Sequence, residues 1–291
     1  MSVNNLKLLS LFFLLFFFVS CQKEINPGNG TSPTTNNDSI YLDKIYVLDN
    51  SGNRIDSISF VYDNMKRVVS MGFNNPYPDM DLYNYYYNGT DTLPFRSRHI
   101  NLRSGSLDTT ITYHVYDMNN RNLEDSALVS RRNTGPFGIF TYSVEVAHYS
   151  YGAGKKYTYS DITVSLPAPA SFFIRTDTAL VDANGNISSS KANFSTTSLY
   201  NTSLLTYDSH INPFSILSNF KAHQHFPSGE TLFFEYFPFN NILTLNETNQ
   251  GSPVNTTNYT YTYRSNGLPG TATVVFNSID TTRLLYTYQK L

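Results

Sequence analysis

Residues 52–71 read GNRIDSISFVYDNMKRVVSM, and the punctuation of this stretch decides the fold. It holds a turn, a strand, a second turn and the start of another strand. Ile58, Phe60 and Tyr62 fall on one side of an alternating run, with Asp56, Ser57 and Ser59 adding polarity around them. A period of two suits a half-buried strand and not a helix. Asp63-Asn64 then supplies turn chemistry before Arg67 and the β-rich run Val68-Val69-Ser70-Met71.

Looser copies of this unit recur to the end of the chain. Tyr259-Thr260-Tyr261-Thr262-Tyr263 lays three phenols on one face, and Leu284, Tyr286 and Tyr288 repeat the arrangement. Phe140, Tyr142, Val144, Val146 and His148 form a longer stripe, which predicts a core face with His148 as a hydrogen-bonded core histidine. Turn signals punctuate the runs at residues 50–53, 88–89, 118–120, 152–154, 184–185 and 266–267. Strands joined by tight turns predict an all-β domain, a long antiparallel meander of roughly 14–17 strands, open or partly closed and barrel-like. The one helical pattern is residues 213–220, with Pro213 at the first helical position after Asn212.

Composition narrows the function classes. The 291 residues include 23 Tyr and 21 Phe but no Trp, and 14 % charged residues give a formal net charge of −2. So mild a balance offers no electrostatic case for nucleic acid. No P-loop, HExxH, GxGxxG or nucleophile elbow is present, and no cofactor is expected.

Residues 1–20 read as a targeting segment, with Lys7 ahead of a nearly unbroken Leu/Phe run from Leu8 to Val19. That run is short for a membrane-spanning helix, which needs about 20 residues. It ends at Phe18-Val19-Ser20-Cys21, and Cys21 is the only cysteine. This resembles the lipobox of bacterial lipoproteins, with Phe18 where that family prefers Leu, and implies a lipid anchor on Cys21. Gln22-Lys23-Glu24 is similar to the short charged signals that send some lipoproteins to the cell surface. Residues 21–39 are expected to be a flexible tether, poor in large apolar residues, and residues 40–291 a single domain.

Two further resemblances rest on short motifs. Phe60-Val61-Tyr62-Asp63-Asn64-Met65-Lys66-Arg67-Val68 resembles a YD repeat, with Lys66 where that hairpin unit carries Gly. Together with the lipobox, Leu205-Thr206-Tyr207-Asp208-Ser209-His210-Ile211-Asn212-Pro213-Phe214 and Tyr261-Thr262-Tyr263-Arg264-Ser265-Asn266-Gly267-Leu268-Pro269 resemble surface lipoproteins with a porin-like β fold. In that group a Tyr-Asp followed by Asn-Pro-Phe marks an irregular crossing before the last hairpins. The resemblance implies architecture and an outer-membrane address, cell-surface or else periplasmic, and no chemistry.

Candidate chemistry is sparse. His223 and His225 share a strand face and, with His210, make a weak metal-ligand set against the ordinary reading of exposed histidines. The five Glu after the tether include no paired motif of the kind glycoside hydrolysis uses, although Glu145 and Glu235 lie in strand-like runs. Of sixteen Asp, eight precede Ser or Thr, a pattern that resembles a bacterial O-glycosylation motif and equally suits turn exits. Ser39, Thr92 and Thr109 are the expected acceptors. Asp208, Asn212 and Pro213 are expected to build a structural corner.

The sequence therefore points to a non-enzymatic binding or structural lipoprotein, held to a membrane through Cys21, with a glycan, peptide or outer-membrane protein as partner. The alternative is a hydrolase acting on an extracellular polymer. The inner wall of the sheet should separate them: a wide uncharged aromatic groove for binding; two acids, or an acid and a histidine, converging within a few ångströms in a pocket for hydrolysis.

Overall fold

The computed structural model describes residues 40–74, 80–103, 106–117, 122–133, 140–152, 155–165, 171–194, 200–217 and 238–291. Sixteen strands run through these residues. They are β1 (Ile40–Leu48), β2 (Arg54–Tyr62), β3 (Val68–Asn74), β4 (Met80–Tyr86), β5 (Arg96–Arg103), β6 (Ser106–Tyr116), β7 (Asn122–Asn133) and β8 (Phe140–Gly152). They continue as β9 (Lys155–Ser165), β10 (Ser171–Val181), β11 (Ile187–Phe194), β12 (Tyr200–Ile211), β13 (Asn240–Asn249), β14 (Ser252–Tyr263), β15 (Pro269–Phe276) and β16 (Asp280–Lys290).

Each strand pairs antiparallel with its neighbours in sequence, so the predicted meander holds. The ladder also returns to its start, because β1 pairs with β16 as well as with β2. At that seam the register shifts between Leu42 and Lys44, and the Thr287 hydroxyl accepts the Lys44 amide at 3.1 Å. The expected helix over residues 213–220 is a single 3-10 turn, Pro213–Ile216, among the described residues.

The inward side chains of β1–β4 and β10–β16 form one apolar cluster. Ile58, Ile45, Met71, Leu245 and Ala272 are almost fully buried in it, so this part of the interior is packed and not hollow. Phe214 on the 3-10 turn meets Phe60 edge-on at 5.8 Å between ring centroids. Outside, β12–β15 present threonines that pair across strands, Thr206 with Thr244 at 2.7 Å and Thr262 with Thr271 at 2.6 Å. A membrane-spanning barrel has the reverse polarity, apolar outside and polar within.

One five-residue turn is used four times, at residues 49–53, 63–67, 182–186 and 264–268. In each, the first amide bonds the fifth carbonyl and the fourth amide bonds the first carbonyl. The fourth residue takes a positive φ: Gly52 (84°), Lys66 (63°), Gly185 (87°) and Gly267 (80°). Three of the turns open on Asp, whose carboxylate accepts the amides two and four residues on, as Asp63 does from Met65 and Arg67 at 2.9 Å each. Lys66 thus occupies a position whose geometry asks for glycine.

A tyrosine latch recurs at the same end of the sheet. Tyr62, Tyr87, Tyr207 and Tyr288 donate their hydroxyls to the carbonyls of Leu42, Val68, Ile187 and Pro269, at 2.6 to 2.8 Å. Each bond ties the end of one strand to the start of the strand before it. Arg67 adds a second tie: it bonds Asp63, donates to the Gly89 and Asp91 carbonyls at 2.8 Å, and lies 4.4 Å over the Tyr87 ring. Arg264 repeats this, donating to the Tyr286 carbonyl while lying 4.7 Å over Tyr288.

Two predictions follow from the rim. Lys66→Gly should raise stability by about 1 kcal/mol, the cost of holding an L side chain at positive φ, read as a higher Tm. Burial holds the phenols of Tyr62, Tyr87, Tyr116 and Tyr288 above their usual value of 10.0. Their neutral forms belong to the folded state, so stability is level below pH 10 and falls as pH rises beyond it. An alkaline titration followed at the phenolate absorbance should show these tyrosines ionising together with unfolding.

Candidate functional site: the inner and outer walls of strands β5 to β8

From β5 to β8 the alternation reverses its sense. In β8 the inward residues are Glu145, Ala147 and Tyr149, while Val144 and His148 are exposed. The expectation of a core stripe ending at His148 is therefore corrected: the His148 side chain is 54 % exposed and faces Glu124 at 3.5 Å. In β6 likewise, His114 points inward, and Tyr113 and Val115 are about half exposed. The cause is a polar chain on the inner wall that claims the inward positions.

That chain links four strands. The Ser97 hydroxyl lies 3.0 Å from His114 Nε2, and His114 Nδ1 lies 2.5 Å from Asp125 Oδ1. Tyr149 donates its hydroxyl to Asp125 Oδ2 at 2.8 Å. With an ionised carboxylate and a neutral imidazole, Nδ1 would donate to Asp125 and Nε2 would accept from Ser97. Burial first, and then the Asp125 charge, raise the Tyr149 phenol well above its ordinary value, which keeps it a donor at neutral pH.

This order of serine, histidine and carboxylate is that of a nucleophile, its base and the group that orients the base. Its setting is enclosed. Ser97 is only 9 % exposed, and its strand is paired on both sides, with Tyr85 and with Thr112. The peptide groups beside the hydroxyl are thus consumed by the ladders and do not form an oxyanion hole. A second histidine–carboxylate pair, His99 with Asp81, continues the wall toward β4, where His99 stacks on Tyr83 at 4.0 Å. An acid and a histidine meet here in a buried chain, and not in an open pocket of the kind expected for hydrolysis, by way of residues that carried no motif.

The outer wall of the same strands is apolar in rows. Ile111, Leu128 and Val144 stand directly opposite one another across β6, β7 and β8. On β5, Arg98 opposes Ile111 and Arg96 opposes Tyr113. Arg96 lies 4.0 Å over the Tyr86 ring, and Tyr86, Arg96, Arg98, Thr109 and Ile111 line a shallow cleft of about 230 Å³.

The remaining expected positions fall as follows. Asp208 Oδ1 accepts the His210 amide at 2.9 Å and the Asn241 amide at 3.2 Å, and Oδ2 accepts the Asn241 side chain at 3.2 Å and the Tyr263 hydroxyl. His210 stacks on Tyr263 at 3.7 Å. Asn212 caps the 3-10 turn that Pro213 begins, accepting the Phe214 amide at 3.0 Å. Reading the sequence missed Asn186 and Asn240, which are buried and exchange bonds of 2.9 and 3.0 Å between two hairpins. Their only signal was Asn240-Asn241 at the start of a strand.

Thr92 is exposed in the connection between β4 and β5. Thr109 lies within β6, paired with Ile100 and Ser130, because the preceding connection is so short that the strand has already begun at Ser106. Cys21, Ser39, His223 and His225, with Glu235, lie outside the described residues. No group of three His, Cys, Asp or Glu with metal-binding geometry occurs among the described ones.

His114→Ala should cost about 3–5 kcal/mol, because it leaves the Asp125 carboxylate buried without its main partner. Ser97→Ala should cost only about 1 kcal/mol, the loss of one neutral hydrogen bond. Denaturant unfolding of the two variants measures the difference.

No protein-family model matches the chain, and no curated protein matches it. Among solved structures it is similar to a porin-like protein from Bacteroides vulgatus ATCC 8482, with a TM-score of 0.56 and 11 % identity. That likeness covers 87 % of this chain and 100 % of the other. A porin-like protein from Bacteroides uniformis ATCC 8492 gives a TM-score of 0.41 at 13 % identity, over 85 % of this chain and 96 % of that one. At such identity the first likeness is one of fold: an all-β antiparallel meander.

Proposed function

We propose that this chain is a lipid-anchored lipoprotein of the bacterial outer membrane, cell-surface or else periplasmic, that binds a partner through the outer face of β5–β8. One observation carries the reading: exposed Leu128 and Val144 stand opposite each other, in the row of Ile111 and Arg98, and exposed Tyr113 stands in the next row opposite Arg96. Contiguous exposed apolar surface on a water-facing protein marks an interaction site. The fold likeness to porin-like proteins and the lipobox-like Val19-Ser20-Cys21 support the envelope address. The carboxylate of Asp208 is spent on backbone and side-chain donors, which favours a structural corner. Thr92, exposed in its connection, suits the proposed O-glycosylation at Asp-Ser/Thr sites, for which Ser39 is a further proposed acceptor.

A second reading rests on Ser97, His114 and Asp125: a hydrolase in which Ser97 attacks an acyl or related group. It requires the inner wall to open to substrate. Covalent labelling of Ser97 by a fluorophosphonate would support it, and an unlabelled Ser97 leaves the chain of bonds as a structural brace.

For the binding reading, the full chain and its Leu128→Ser/Val144→Ser variant should be compared on arrays of envelope glycans, peptides and lipids. The variant is expected to lose at least tenfold in binding while keeping its Tm. Equal binding by the two proteins would refute the assignment of this face. Cys21→Ser should move the protein out of the membrane fraction.

A further inference from the structure

The outer face of β5–β8 places two arginines beside a row of apolar side chains. Arg96 and Arg98 stand on β5, and the residues opposite them on β6, β7 and β8 are uncharged: Ile111, Leu128 and Val144 in one row, Tyr113 and Ser126 in the next. Neighbouring strands lie about 4.8 Å apart, so the row from Arg98 to Val144 spans roughly 14 Å. Among the described residues the ion pairs are Arg67 with Asp63 and four histidine–carboxylate pairs; neither Arg96 nor Arg98 belongs to any of them. Arg96 Nε is shut from solvent and has no hydrogen-bond acceptor. Stacking on Tyr86 fixes the plane of the guanidinium, so its fork is aimed before any ligand arrives.

We propose that the cleft and the row beyond it bind an acidic amphiphile, one molecule at a time, its oxyanion on Arg96 and Arg98 and its apolar chain along Ile111, Leu128 and Val144. The inference rests on the binding reading of this face and names its ligand class. A bilayer surface asks for a protruding patch, whereas Arg96 Nε is recessed. A planar fork meets a carboxylate, sulfate or phosphate equally well, and the apolar row selects a chain-bearing one.

The test is calorimetric titration of the full chain carrying Cys21→Ser, so that no acyl chain of its own competes. Dodecanoate below its micelle concentration should bind one to one. Arg96→Gln and Arg98→Gln should each weaken binding at least tenfold, Leu128→Ser severalfold, and Lys191→Gln, a distant surface cation, not at all. Acetate or inorganic phosphate binding as tightly as dodecanoate, or indifference to Leu128→Ser, would overturn the amphiphile. So would association with phosphatidylglycerol vesicles without binding of monomeric dodecanoate, or no binding of either. If dodecanoate fails while Leu128→Ser/Val144→Ser still abolishes array binding, the ligand class falls and the binding face stands.

Discussion

Pairing of β16 with β1 obliges every residue in the sheet to choose a side. In any sheet with one buried face, a one-residue slip moves a strand's apolar set to the wrong side. With two neighbours on every strand, a one-residue slip would have to pass through the whole ladder and exchange inside for outside everywhere. Polarity on one face then dictates polarity on the other. Where Leu205, Leu245 and Leu284 take the inside, threonines are left outside; where His114 and Asp125 take it, Tyr113 and Val144 are left to water.

The two regimes do different work. Strands β1–β4 and β10–β16 supply the packed apolar cluster that stabilises the fold, with no disulfide to help, since Cys21 is the lone cysteine. Strands β5–β8 hold their inner wall together by hydrogen bonds, which contribute less net stability each and demand complete pairing. Specificity of position comes in exchange: Ser97, His114, Asp125 and Tyr149 fix four strands against one another and so hold the outer rows of Arg98, Ile111, Leu128 and Val144 in line.

The rim joins these regimes. Each latch tyrosine contributes about 1 kcal/mol by its bond to a strand-start carbonyl, and the arginines over Tyr87 and Tyr288 carry the tie to the next hairpin. Recurrence of Tyr, turn and Arg is therefore a mechanical repeat, in which one hairpin braces the next. Lys66 shows that the turn tolerates a side chain at positive φ when Asp63 and Arg67 hold both ends.

Local chemistry in the sequence determined the strands and their turns. Alternation at Ile58, Phe60 and at Tyr259 named buried faces correctly, because those strands pack against other apolar strands and nothing competes for the inside. Asp at the start and Gly near the end of a five-residue turn was likewise legible, since its bonds lie within those five residues. The stripe through Val144, Val146 and His148 was legible as a stripe but not as an outer one. Only the tertiary structure decided that, because the polar side chains that claim the inner wall lie 17, 11 and 24 residues apart and meet only through the ladder register. Periodicity says which residues share a face; the company that face keeps is settled by strands far away in the chain.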